Sequence, residues 1–145
     1  MPTSKRPSAE KQASRRTSPA EIAPGVFVGG WKDATRFEGE RFCVLDEARD
    51  DLPPCVHVPI FSETTGEVNR RNLDRLAKLV QTARSEGKPA LIFCGMGIRR
   101  GPLGGAWYLH RAEHLSLDEA YARVRAVRPQ TEHARDWVPN PTGLE

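Results

Sequence analysis

Five residues restrict the fold of this chain more than any others. Pro89-Ala90-Leu91-Ile92-Phe93 places four apolar residues behind a proline and stops at Cys94. The run is too short for a helix and has no polar face, so it predicts a strand covered on both sides at the centre of a sheet. The next residues, Gly95-Met96-Gly97-Ile98-Arg99-Arg100, show no apolar period. Gly101-Pro102 then opens a helix, where proline is tolerated because a first-turn N–H has no helical partner anyway. A buried strand, a glycine loop and a helix make an α/β unit.

The remaining chain supplies the layers that such a unit needs. Ile22 to Gly30 alternates β-branched and aromatic residues between Pro-Gly and Gly-Gly, which predicts a short strand or a hairpin. Phe42 to Leu45 is a second buried strand, ended by the acidic stretch 46–51 and Pro53-Pro54; Val56-His57-Val58 is a third, closed by Pro59. A helix is predicted over roughly Asn69 to Ser85, with Leu73, Leu76, Ala77, Val80 and Ala83 along one face. Ser116-Leu117-Asp118-Glu119 has capping-box form and starts a helix with the apolar face Leu117, Ala120, Tyr121, Val124 and Val127, stopped by Pro129. The fold class is therefore α/β: a three-layer domain with a central, mainly parallel sheet flanked by helices.

At 145 residues the chain accommodates one domain. Residues 1–20 carry Lys5, Arg6, Lys11, Arg15 and Arg16 among Ser, Thr and Pro with almost no apolar side chains, predicting a disordered basic tail. The domain is expected over 21–139, with 140–145 a loose C-terminus. No apolar run approaches the roughly 18 residues that span a bilayer, and the start lacks the apolar core of a secretion signal, so a cytoplasmic location without membrane contact is the default. The net charge of +3 is partly a property of the tail, and the strands show no basic–aromatic platform for nucleic acid. Three cysteines, Cys43, Cys55 and Cys94, fit neither zinc spacing nor a disulfide framework. One reactive thiol and two buried, inert ones is the economical expectation, with Cys43 either core or a resolving partner for oxidised Cys94. His57, His110, His114 and His133 make no metal set, and His110 with His114 reads as a surface pair. Trp31, Trp107 and Trp137 read as packing residues. No cofactor and no metal is expected; the oligomeric state is left open.

Chemistry concentrates in 94–101. A loop between a buried strand and a helix start points successive backbone N–H groups at one spot, beside the positive end of the helix dipole. Gly95 and Gly97 permit close approach of an anion. A positive field of this kind favours the thiolate form of a cysteine placed in it. Arg100 offers a planar fork to two oxygens of a tetrahedral anion. Cys94 as nucleophile, with Gly95, Met96, Gly97, Ile98, Arg99 and Arg100 around a phosphate, is what transfer of a phosphoryl group to sulfur requires.

These residues resemble the signature of the protein tyrosine and dual-specificity phosphatases, Cys94-x5-Arg100. Ile22 to Gly29 is similar to the opening strand of that family, His57-Val58-Pro59-Ile60 to the segment before its general-acid loop, and Ser116 to Pro129 to the helix after its active-site helix. The resemblance implies a cysteinyl-phosphate intermediate on Cys94, phosphate binding by Arg100 and the loop amides, and a phosphorylated protein or small phosphomonoester as substrate. Phosphotyrosine leads, with phosphoserine and phosphothreonine as a wider set. Three positions depart from the family pattern. Phe93 stands where it has His, Gly101 where it has Ser or Thr, and the stretch Pro59-Ile60-Phe61-Ser62-Glu63 lacks its acidic Asp. Glu63 is the best substitute acid or else an ordinary solvated loop carboxylate, and Ser62 falls near the missing Asp. The departures imply a weak enzyme or, alternatively, a phosphate-binding pseudophosphatase. Read instead as Cys94-x-x-Gly97-x-Arg99, the loop is similar to that of rhodanese-like sulfurtransferases; in the phosphatase register Arg99 is a substrate-facing or a solvated cation.

Overall fold

The computed structural model describes residues 19–46 and 51–132. The expectations for the basic tail up to residue 18, for His133 and Trp137, and for residues 140–145 lie outside the described residues. Strands β1 (Ala20–Ala23) and β2 (Val26–Gly30) form an antiparallel hairpin across Pro24-Gly25. They are followed by a short helix α1 (Trp31–Ala34), β3 (Glu40–Cys43) and β4 (Val56–His57). Helix α2 (Arg70–Ser85), β5 (Ala90–Cys94), α3 (Arg100–Ala112) and α4 (Leu117–Val127) complete the order. The sheet runs β1-β2-β5-β3-β4, parallel throughout except at β1.

Strand β5 is central, and both its faces are buried. Ala90, Ile92 and Cys94 join the main core with Leu73, Leu76 and Trp107, while Leu91 and Phe93 point the other way, into a smaller cluster with Ala34 and Cys43. The alternation of a strand thus sends Cys94 and Phe93 to opposite sides. The layers are uneven: α2, α3 and α4 pack together over one face, and the other is covered by α1 with Phe27, Phe37 and Leu52. Helix α3 lies very close to the sheet. A Cβ on Gly105 would stand 2.6 Å from Val28 Cγ2 and 2.9 Å from Ile22 Cδ1, so only glycine allows this approach.

The capping box predicted at Ser116 is present, and the helix predicted from about Asn69 is capped by that residue. Asn69 Oδ1 accepts from Asn72 N at 2.9 Å, and Ser116 and Glu119 exchange the two bonds of a capping box. The buried face of α2 is Leu73, Leu76, Ala77, Val80 and Ala83, as its spacing requires. Some expectations are corrected. Strand β3 begins at Glu40, because the ladder to β5 pairs Glu40 with Ala90 regardless of side-chain polarity. Helix α3 begins at Arg100, and α1 carries no apolar period that would have announced it. Val127, at the last turn of α4, is exposed. Cys55 is half-buried, not fully buried. His110 is half-buried where a surface residue is expected: its ring packs against Trp107, and its Nδ1 lies 2.7 Å from Leu115 O.

Candidate active site

The parallel strands bring Gly30, Cys94 and Cys43 to one end of the sheet, where Gly30 pairs with Cys94 and Cys43 with Phe93. Ligands of open α/β sheets bind outside such carboxyl ends. The loop after β5 is held there by its carbonyls. Trp31 N donates to Gly95 O at 3.0 Å, Arg128 Nη2 to Met96 O at 3.3 Å, Arg128 Nε to Gly97 O at 2.6 Å and Glu132 N to Ile98 O at 2.7 Å. Four consecutive carbonyls are taken up from outside the loop, which leaves its amides to serve the inside. Gly97 N donates to Cys94 Sγ at 3.1 Å and Gly101 N at 3.3 Å. Two amide donors on one sulfur stabilise negative charge on it. Gly97 adopts φ 70°, the left-handed region that L side chains avoid.

Arg128 was not singled out from the sequence, although it stands just before the proline that ends the last helical segment. It is 3% exposed. Burial lowers its pKa, and the charges of Asp33 and Cys94 pull it back up. Asp33, also buried, accepts from Gly30 N at 2.9 Å. Burial raises its pKa, opposed by that hydrogen bond and by the Arg128 charge. Asp33 and Arg128 thus tie β2 and the end of α4 to the loop. No spacing rule would have paired residues so far apart in sequence.

Cys94 forms part of the wall of a cavity of about 330 Å³, shared with Leu45, Phe61, Glu63, Gly95, Met96, Ile98, Arg99, Arg100 and Glu132. All the predicted site residues except Gly97 line it, and Gly97 reaches it through its amide on the sulfur. The tandem arginines separate clearly. Arg100 is 15% exposed, lies 5.9 Å from the Phe61 ring centroid and pairs with Glu63. Arg99 is 52% exposed and meets Glu132 at 3.6 Å. Arg100 is therefore the inward fork and Arg99 the rim cation. Ser62 Oγ accepts from Thr65 N at 3.2 Å, which makes it a turn cap. His57 donates from Nε2 to Leu45 O at 2.6 Å and braces the strand end beside the cavity.

Cys43 stands one strand away. Burial pushes its thiol up to about 11, and the Cys55 thiol is raised for the same reason.

No family model matches the chain. It is 25% identical to rat dual specificity protein phosphatase 12 over 141 residues, 83% of this chain and 41% of that protein, so it spans about two fifths of that relative's length. It is 26% identical to mouse dual specificity phosphatase 28, over 78% of this chain and 75% of that one. The crystal structure of human DUSP28 superposes with a TM-score of 0.66 at 25% identity, over 85% of this chain and 88% of that chain. In sequence and in fold the chain is similar to dual-specificity phosphatases. A mouse dual specificity phosphatase crystallised with zinc tungstate has the same fold, with a TM-score of 0.69 at 23% identity over 94% and 86% of the two chains. Within the dual-specificity phosphatase fold, Phe93 is explained by packing: it fills the smaller core cluster beside Cys43. Among the described residues no helix is long and apolar enough to cross a membrane.

Proposed function

We propose that the chain hydrolyses phosphomonoesters through a cysteinyl-phosphate intermediate, with phosphotyrosine as the leading substrate and phosphoserine and phosphothreonine as further ones. The observation that carries this reading is a cysteine sulfur accepting two backbone amides in the wall of a cavity that also holds a largely buried arginine fork. In the first step Cys94 Sγ attacks phosphorus, and the bond from phosphorus to the ester oxygen breaks. Arg100 and the amides of 95–100 hold the equatorial oxygens, where charge accumulates. Glu63, the carboxyl of the 61–67 loop that lines the cavity, gives its proton to the departing oxygen. In the second step water attacks phosphorus and gives a proton to the Glu63 carboxylate, the S–P bond breaks, the thiolate is restored and inorganic phosphate leaves. Leu45, Phe61 and Ile98 supply apolar wall for an aryl group.

The test is hydrolysis of an aryl phosphate without added metal. Turnover is expected to be inhibited by vanadate and to fall by about 10²-fold or more in Arg100→Ala, the loss typical of removing a charged transition-state donor. Unchanged turnover in that variant refutes the proposal.

One observation favours the pseudophosphatase alternative. A Cβ built on Gly101 stands 3.4 Å from Cys94 Sγ, an ordinary contact, so a serine would fit and could assist the sulfur as it leaves. Without that hydroxyl the second step is slow, and the protein holds phosphate longer than it hydrolyses it. Gly101→Ser is expected to raise the steady-state rate several-fold while leaving the initial burst unchanged, read by rapid-quench kinetics. No gain in the steady-state phase removes this alternative.

A further inference from the structure

We infer that Glu63 is an internal competitor for the phosphate position, an exposed carboxylate seated on Arg100 that a phosphoryl group has to displace before the fork can close on it. The inference rests on the reading of Arg100 as the phosphate fork. Two observations carry it. The Glu63 carboxylate and Arg100 Nη2 form an ion pair in the free site. The two partners are unequally held, since the Arg100 side chain is 15% exposed and stands beside the Phe61 ring, whereas the Glu63 side chain is 74% exposed. The displaceable member of the pair is therefore the carboxylate.

The backbone beneath Glu63 is fixed. Phe61 bridges to Val68, Ser62 N donates to Glu67 O at 3.0 Å, and Gly66 N donates to Ser62 O at 2.8 Å. Glu63 N itself donates to Asp46 Oδ2 at 3.2 Å. A braced loop thus delivers an exposed side chain, which raises the local concentration of carboxylate at the fork. Two planar carboxylate oxygens meet a guanidinium as two oxygens of a phosphate do. Glu132 pairs with Arg99 at the other side of the mouth. The charged groups lining the cavity are thus two cations and two carboxylates, already matched. A phosphate dianion enters by exchange with Glu63, and the displaced carboxylate takes up a proton from solvent before it serves the leaving oxygen.

Competition of this kind gives Glu63→Gln effects of opposite sign on binding and turnover. The experiment measures the Kd of tungstate by calorimetry, and aryl phosphate turnover, for the full chain and for Glu63→Gln, Glu63→Ala and Glu132→Gln. Both Glu63 variants are expected to bind tungstate about threefold to fivefold more tightly, the size of one largely exposed ion pair, and to turn over more slowly. Glu132→Gln is expected to change the tungstate Kd by less than about twofold. Equal or weaker tungstate binding in both Glu63 variants overturns the inference and leaves the phosphatase reading standing. Tungstate binding by none of the four proteins overturns the phosphate site itself, and this inference with it.

Discussion

Cys94 and Cys43 end neighbouring parallel strands of one sheet, and both are buried, but the chain leaves them in different ways. After Cys94 the chain makes a glycine loop and a helix start, and two amides reach back to the sulfur. After Cys43 it continues through Val44 and Leu45 into the acidic stretch. Burial is the largest influence on that thiol and raises its pKa to about 11. Burial alone disfavours a thiolate; burial beside oriented amide donors supports one. The two cysteines share a position at a strand end and differ in the peptide orientation of the next few residues.

The sharpest way to break this comparison is to exchange each sulfur in turn. Cys94→Ser is expected to lower aryl phosphate turnover on the order of 10³-fold or more, as loss of a nucleophile does. Cys43→Ala is expected to leave turnover within about threefold and to cost about 1 kcal/mol of stability, through a small core cavity. Comparable activity losses in the two variants would erase the distinction.

The orientation of the loop peptides is the next target. Arg128→Met removes the donors to Met96 O and Gly97 O and leaves buried Asp33 without that nearby positive charge. It is expected to cost about 2–4 kcal/mol in chemical denaturation. Below the variant's melting temperature, tungstate binding is expected to weaken at least tenfold. Arg128→Lys keeps the charge but not the fork, and is expected to recover only part of that affinity. A destabilised Arg128→Met protein with unaltered tungstate binding would show that Arg128 supports the fold without shaping the cup.

The sequence displayed the parts of this fold that depend on local pattern. The apolar run 90–93 between Pro89 and Gly95 could only be a central strand, and the capping box at Ser116 marked a helix start through hydrogen bonds made within a single turn. That Cys94, Arg100 and Glu63 line one cavity was legible because they lie in one loop or follow a strand that points at it. The features that stayed hidden are non-local. Arg128 reaches back across 31 residues to Gly97 O, and Asp33 acts from a four-residue helix with no periodicity. The tandem arginines were ambiguous for a similar reason, because only the packing of Arg100 by Phe61 and the outward pairing of Arg99 with Glu132 tell them apart.

The central claim is that the Cys94 sulfur accepts a phosphoryl group. It is tested most directly by mass spectrometry of protein mixed with an aryl phosphate and quenched in acid within the first turnover. The expected result is one phosphate on the peptide that contains Cys94, absent from Cys94→Ser and Arg100→Ala and lost as the protein returns to its free form. Aryl phosphate turnover with that peptide unmodified at every quench time, or with the phosphate on another residue, would contradict the account.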